Sequence, residues 1–440
     1  MHSKRAAVGC KPLPLSTPFR LSTALLGAAL AVSTVAAPLR SSSSLETGAV
    51  MAVATRGGGL SQARLTLLPK TRLRKGRAWS AEGRLRIEAT VSETGLGTRD
   101  TYSDLSEPWE VTGDVRVEID TATLSWRQRA TRLTLGKQSV AWGVLDGVQV
   151  TDRFDAVRRR ESIFTAQRPE RLTRWGARAR FRLGDTRFDA ALALDGSVNQ
   201  LANLDETYAV SAPRFRGGLP ASVVPESLAV DTPDTPTAGL RVERTVGSSD
   251  ASLMVIHGPD TDPVFRADGL GVILAYPTRT LFGATWQRAT GARVWRLEAA
   301  WIPRQPVNLA PATGLATARE SRWLVGSGLD FNLPGGVFVN AQLAVDHVEH
   351  DGAGLARPDT DVVATLRAQR GYRNDRWLAA VEIISALSDG DGTFRPSLTW
   401  KPRDNLGIDI GADLTWGDPR DLIGQFEDAS RVYIRIRRTF

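Results

Sequence analysis

The chain has 440 residues, 24% of them charged and 42% hydrophobic, with a formal net charge of +8. This composition excludes a disordered chain, and the basic residues are spread through alternating segments rather than gathered in a stripe with interleaved aromatics, which argues against nucleic-acid binding. Past residue 40, charges interrupt every apolar run before it reaches the ~20 residues a membrane-spanning helix needs, which argues against an inner-membrane protein.

Residues 1–37 read as an export signal: Lys4, Arg5, Lys11 and Arg20 form a basic region, and Leu21 to Ala37 is apolar and ends in small residues. The only cysteine, Cys10, lies inside that signal, so the exported chain would carry no thiol for a disulfide, a metal or a covalent intermediate. Residues 38–45, with the run Ser41 to Ser44, read as a polar linker, and 46–440 as one domain.

From residue 46 the sequence becomes a series of alternating segments, roughly ten to thirteen residues each, with the dyad pattern of strands that face lipid on one side and water on the other. The first, Leu45 to Arg56, is weak, and the next lies near residues 60–73. Leu85, Ile87, Ala89 and Val91 alternate with Arg84, Arg86, Glu88 and Thr90, and Trp175, Ala177, Ala179, Phe181 and Leu183 with Arg174, Arg178, Arg180 and Arg182. Val337 to Val345 repeats the pattern, and Leu406 to Trp416 shows it most clearly, with Asp409 and Asp413 on the polar face. Tight turns such as Gly184-Asp185, Pro334-Gly335-Gly336 and Arg403-Asp404-Asn405 join hairpins, while longer polar stretches, among them 92–111, 144–170, 197–235 and 304–319, separate them. The expected fold is therefore all-β: a transmembrane antiparallel up-and-down β-barrel with short periplasmic turns and long extracellular loops. The segment count gives about eighteen strands, with sixteen as the next choice, and a barrel of that size has room for an aqueous lumen. Trp142, Trp175, Trp301, Trp323, Trp377, Trp400 and Trp416 fall near expected strand ends, where amphipathic rings suit the two membrane interfaces. The chain closes on Phe440, with Ile436 and Ile434 in register with it, and this looks like the C-terminal strand recognised by the barrel-assembly machinery.

Two stretches carry a family likeness. Leu135-Gly136-Lys137-Gln138, then Trp142-Gly143, Asp146-Gly147, Asp152 and Arg160-Glu161, together with the closing hairpin Asn405 to Gly417 and Gly424-Gln425-Phe426, resemble a large family of porin-like outer-membrane proteins catalogued as a domain of unknown function, distantly akin to alginate-export porins. The resemblance implies the barrel fold and the outer membrane, and leaves the solute open. Where that family has Asn-Pro after the Asp-Gly pair, this chain has Phe154-Asp155-Ala156.

The sequence carries little enzyme chemistry. It has four histidines, no G-x-S-x-G elbow, no H-E-x-x-H and no phosphate-cradling glycine loop, so neither catalysis nor a cofactor is expected. His347 and His350 flank Glu349, but strand neighbours three apart point to opposite faces, so no metal site is expected there. What remains is lumen chemistry. Arg174, Arg178, Arg180, Arg182 and Arg187 face inward on one hairpin and would attract carboxylates or phosphates. The loop from Val144 to Glu170 carries Asp146, Asp152, Arg158, Arg159, Arg160 and Glu161. It either folds into the lumen as a constriction, or stands outside on lipopolysaccharide phosphates, or is disordered; the stretch 197–235 is a second candidate plug. The function that follows is a porin-like channel for small, anionic or amphipathic solutes, embedded in outer-membrane lipid and lipopolysaccharide. The alternative is a loop-plugged structural barrel serving a transport or export partner.

Overall fold

The computed structural model describes residues 38–91, 95–161, 170–203, 206–219, 228–268, 271–310, 315–352 and 354–440; the expected export signal, residues 1–37, lies outside them. Nineteen strands share one hydrogen-bonded sheet, and eighteen of them close into a ring. In chain order they are β1 (Leu39–Ala54), β2 (Leu60–Lys75), β3 (Trp79–Thr90), β4 (Val115–Gln128), β5 (Thr131–Gln138), β6 (Arg174–Leu183), β7 (Thr186–Ala193), β8 (Thr237–Val246) and β9 (Ser249–Pro259). The second half comprises β10 (Thr278–Thr290), β11 (Arg293–Leu309), β12 (Ala316–Leu333), β13 (Val337–Glu349), β14 (Thr360–Tyr372), β15 (Trp377–Ala386), β16 (Asp391–Arg403), β17 (Leu406–Trp416) and β18 (Arg431–Thr439). Each strand pairs antiparallel with its chain neighbour, and β18 pairs with β1 from Glu46↔Thr439 to Ala54↔Arg431 to close the ring. The nineteenth strand, Trp109–Thr112, hydrogen-bonds to the start of β4 outside the ring.

The cause of closure is visible in which residues are covered. Leu253, Leu297, Val325, Leu343, Ile410 and Ile434 are exposed on the outer face, while Glu88, Glu118, Asp120, Glu298, Asp330 and Asp409 are buried on the inner one. This is the reverse of a water-soluble fold, and it is stable only where the outer surface meets hydrocarbon and every backbone group is paired within the sheet. Phe282, Trp301 and Trp323 stack across β10 to β12 at centroid spacings of 5.6 Å, and Trp377 stacks on Trp400 at 5.7 Å near the opposite end of β15 and β16. From Trp323 to Leu333 is ten strand positions; at about 3.3 Å each and a tilt of about 40° this spans roughly 25 Å, the height of an apolar barrel belt.

Three details depart from the sequence expectation. The run Ser41 to Ser44, read as linker, is part of β1, although its ladder with β18 begins only at Glu46. The stretch 304–319, read as a long loop, is mostly paired: Gln305 to Leu309 bond to Ala316 to Glu320 beyond an irregularity after Ile302. Trp142, read as an interfacial ring, is fully buried inside the barrel.

Candidate functional site

Between β5 and β6 the chain turns into the barrel. Val140, Trp142, Leu145, Val150 and Phe154 form a small apolar core with inward residues of the wall, among them Ala191, Met254, Ile256, Leu281, Ile302 and Leu324. The wall makes room with glycines. A Cβ at Gly239 would lie 2.7 Å from the Trp142 ring, one at Gly326 2.5 Å from Leu145 Cδ1 and 2.9 Å from Val150 Cγ2, and one at Gly328 2.8 Å from Leu145 Cδ2. Close packing forbids such approaches, so these positions form a groove cut for the loop.

One wall carboxylate fixes the loop tip. Glu298 on β11, buried, accepts the backbone N–H groups of Val144, Leu145 (2.6 Å) and Thr151 (2.9 Å) and the Thr151 hydroxyl (2.7 Å). Gln342 accepts the Gly147 N–H at 3.3 Å, and Trp142 donates its Nε1–H to Asp189 at 3.2 Å. The glycine of the Leu135-Gly136-Lys137-Gln138 stretch starts this turn. Gly136 has φ +115° and faces the Ala122 carbonyl with no room for a Cβ, and Lys137 beside it is buried.

The loop's charged residues are held by carboxylates and arginines of the wall and the neighbouring connections. Arg153 and Arg159 both bond to Asp262, at 3.1 and 3.0 Å, and Arg158 bonds to Glu118 and to the Tyr102 hydroxyl. Arg160 forks onto Glu88 at 2.7 and 2.8 Å, and Glu161 lies between Arg64 and Arg431. Asp152 accepts the Trp142 N–H at 3.1 Å and pairs with Arg171; Asp146 stands 3.9 Å from Arg296. Burial alone would raise Asp262 and Glu161, but the flanking guanidiniums hold both well below the usual carboxylate range. Asp155 is different. Burial pushes its carboxyl up to about 7, with Arg174 only partly opposing the shift.

A second segment enters from the connection between β7 and β8. Arg214 reaches Asp361 and Asp389, the latter at 3.0 Å; Gln425 accepts the Ser211 and Ala212 N–H groups at 3.0 and 3.1 Å; and Tyr208 packs on Phe426. Residues 206–219 therefore contact the β14 wall, the Ala386-to-Asp391 turn and the connection before β18. A three-stranded sheet of Leu228–Asp231, Val264–Asp268 and Gly271–Ala275 is tied to β11 by Asn308 bonding to Phe265 at 2.9 and 2.8 Å.

Between these segments and the wall lies a cavity of about 1240 Å³, lined among the described residues by fifteen arginines, eleven carboxylates and no lysine or histidine. Arg158, Arg159, Arg160 and Glu161 line it; Asp146 and Asp152 lie behind, against the wall. The arginine row of β6 and β7 does not line it. Arg174 is buried among Asp155, Thr237 and Phe154, Arg178 pairs with Asp189 at 2.5 Å, Arg182 bonds to Gly184, Arg187 pairs with Glu243 at 2.9 Å, and Arg180 faces Arg132 across the β5–β6 ladder. The cavity's cations come instead from the inward loop, from residues 206–219, from β2, β3, β12, β14, β16 and β18, and from Arg357 between β13 and β14. Sequence reasoning missed Arg64, Arg214, Arg322, Arg357 and Arg431; the inward phase of Arg64, Arg322 and Arg431 was the available signal. His347 and His350 bond to Thr360 and Glu320 respectively, and among the described residues no group of His, Cys, Asp and Glu is arranged to hold a metal. Ile434 and Ile436 face outward, and Phe440 exchanges backbone bonds with Leu45 at 2.9 and 3.2 Å.

A closed eighteen-stranded barrel, apolar without and charged within, has the fold of outer-membrane β-barrels of the porin type. No protein-family model matches the sequence, and neither does any curated protein. Solved structures share the fold: OccK1 (OpdK) of Pseudomonas aeruginosa at TM-score 0.52 and 8% identity, covering 91% of this chain and 98% of that one, and OccAB1 of Acinetobacter baumannii at 0.50 and 10%, covering 91% and 96%. The structure of Pseudomonas aeruginosa OpdK with vanillate matches at 0.51 and 9%, covering 91% and 98%.

Proposed function

We propose that this protein is an outer-membrane channel for small anionic solutes, with the end bearing connections 91–114, 139–173 and 194–236 facing outward and the tight turns facing the periplasm. The observation that carries the reading is the cavity lining: among the described residues, fifteen arginines against eleven carboxylates leave a net charge of +4 in a confined space. Confinement between low-dielectric walls focuses such a field and concentrates anions. Guanidiniums present a planar fork that fits a carboxylate or phosphate, which a lysine ammonium does not. Vanillate, bound by the fold neighbour OpdK, is itself a carboxylate. In this reading the inward loop sets the constriction, through Asp146, Asp152, Arg158, Arg159, Arg160 and Glu161. The arginines Arg178, Arg180, Arg182 and Arg187 give the turn-end vestibule the same sign. Phe440, Ile436 and Ile434 form the assembly signal.

Single-channel recording in a planar bilayer across a salt gradient tests this. Steady steps with an anion-selective reversal potential are expected; a cation-selective one would overturn the solute class. The contacts of Tyr208 and Gln425 across the lumen favour a second reading, a barrel held shut until a partner acts. A folded barrel that shows no steps, but conducts once 206–219 is excised, would favour it.

A further inference from the structure

The outer wall carries a hollow among the strands that close the barrel. It has a volume of about 490 Å³ and is lined chiefly by alkyl side chains. Its floor is a row of small or short outward residues in register: Ala368 opposite Val381, Val381 opposite Pro396, and Ala412 opposite Val432. Pro396 falls beside Ala412, where the β16–β17 ladder is interrupted because proline offers no N–H. Five strands at about 4.8 Å make the hollow roughly 20 Å long, comparable with an acyl chain.

The hollow climbs. On β14 its floor residue is four positions from the strand's turn end at Tyr372, whereas on β18 Val432 is seven from Thr439. At its low end stands Arg370, outward-facing and exposed, opposite Ala379. Its guanidinium lies 4.9 Å from the Tyr372 ring and reaches the turn at Gly335, where a Cβ would be 3.5 Å from its Nη1. Among the described residues no carboxylate pairs with it. A cation at the level of the turns, at the foot of an apolar channel that rises into the hydrocarbon, matches in charge and shape a lipid phosphate with one chain above it.

We infer that this face seats one phospholipid of the periplasmic leaflet, its phosphate on Arg370 and an acyl chain along Ala368, Val381, Pro396 and Ala412. The leaflet, though not the seat, rests on the orientation proposed above. Lipopolysaccharide carries its phosphates in the other leaflet, so lipid A is the competing occupant the test must exclude.

The test is native mass spectrometry of the full barrel, purified in detergent and incubated with phosphatidylglycerol. Heat-modifiable migration reports folding of every variant. One retained lipid is expected, and R370A should lower its occupancy roughly fivefold, the equivalent of the ~1 kcal/mol of one cation near a lipid surface. A379F, which fills the hollow and leaves the charge, should lower it likewise. Arg438, also outward and 4.2 Å from the Phe440 ring but outside the hollow, is the control: R438A should retain the lipid. Equal occupancy in R370A and wild type, equal loss in R438A, or preferential retention of lipid A would overturn the inference. None of these readouts depends on conductance, so failure here is separable from failure of the channel reading.

Discussion

Replacing Glu298 by alanine should release the tip of the inward loop without unfolding the barrel. The carboxylate accepts three backbone N–H groups and one hydroxyl from residues 144 to 151, and it is 2% exposed. Its loss strands three buried donors at about 1–3 kcal/mol each, and because they share one acceptor their sum is discounted to ~3–6 kcal/mol. Opposing release, Leu145 and Val150 keep their seats over Gly326 and Gly328, worth about 1.5–3 kcal/mol each. At 1.4 kcal/mol per decade the open population of the tip rises by roughly two to four decades, whereas the barrel ladders are untouched. Trypsin reads this directly, since Arg153, Arg158, Arg159 and Arg160 follow the tip and are held inside. The E298A barrel should be cut at these arginines under native conditions where the wild type resists, with unchanged heat-modifiable migration and a larger single-channel step. Equal resistance and an equal step would refute the anchoring role.

Asp155 makes loop attachment depend on pH. Its folded affinity for a proton exceeds the unfolded one, so its contribution is complete below pH ~4 and is lost as pH rises through about 7; trypsin protection should fall from pH 6 to pH 8, and D155N should flatten that slope. Gly326→Leu should collide with Leu145 and Val150 and cost about 1–3 kcal/mol of loop attachment by overpacking, read as the same tryptic cuts. D262N removes the carboxylate shared by Arg153 and Arg159 and raises the cavity charge from +4 to +5, so the reversal potential should move toward anions; no movement would show that these two arginines lie off the conduction path.

How far the fold was legible follows from what alternation encodes. A period of two fixes which face of a strand is wet, and this placed Glu88, Glu118, Asp120, Asp409 and Asp413 on the inner wall. It does not encode height along the strand or where a loop goes. Hence the arginines of β6 and β7 were seen to face inward, but not that Arg174 is buried at the loop end against Asp155 while Arg178 pairs with Asp189 and Arg187 with Glu243. Trp142 looked interfacial because a loop that folds inward leaves no period of its own. One usable signal was present: Met254, Ile256, Leu281, Ile302 and Leu324 are apolar at inward positions, and Gly239, Gly283, Gly326 and Gly328 lie among them. An inner wall with an apolar patch and a run of glycines must be covered by something other than water, and the nearest tryptophan-bearing loop is the natural cover.

The choice of arginine over lysine ties stability to the proposed transport. Of 56 basic residues only six are lysine, and among the described residues none of these lines the cavity. Arg357 spans Asp346 at 3.0 Å and Asp361 at 2.6 Å, Arg395 spans Glu382 and Asp413 at 3.3 Å each, and Arg431 spans Asp413 at 2.8 Å and Gln62 at 2.7 Å. Arg395 and Arg431 each grip the carboxylate opposite them in a backbone ladder, Glu382 and Asp413 respectively, and also reach a further strand, Arg395 to Asp413 on β17 and Arg431 to Gln62 on β2, so the network braces the wall from inside. A lysine ammonium has three donors but lacks the planar fork that fixes two carboxylates in set directions. A guanidinium has five N–H donors, and a pair of carboxylates does not exhaust them. In the proposed channel the same side chains that brace the wall would keep donors for an entering anion, which would exchange partners with carboxylates already in place instead of crossing a site of fixed, unscreened charge. Binding along such a wall would be shallow and repeated, which is what rapid passage requires.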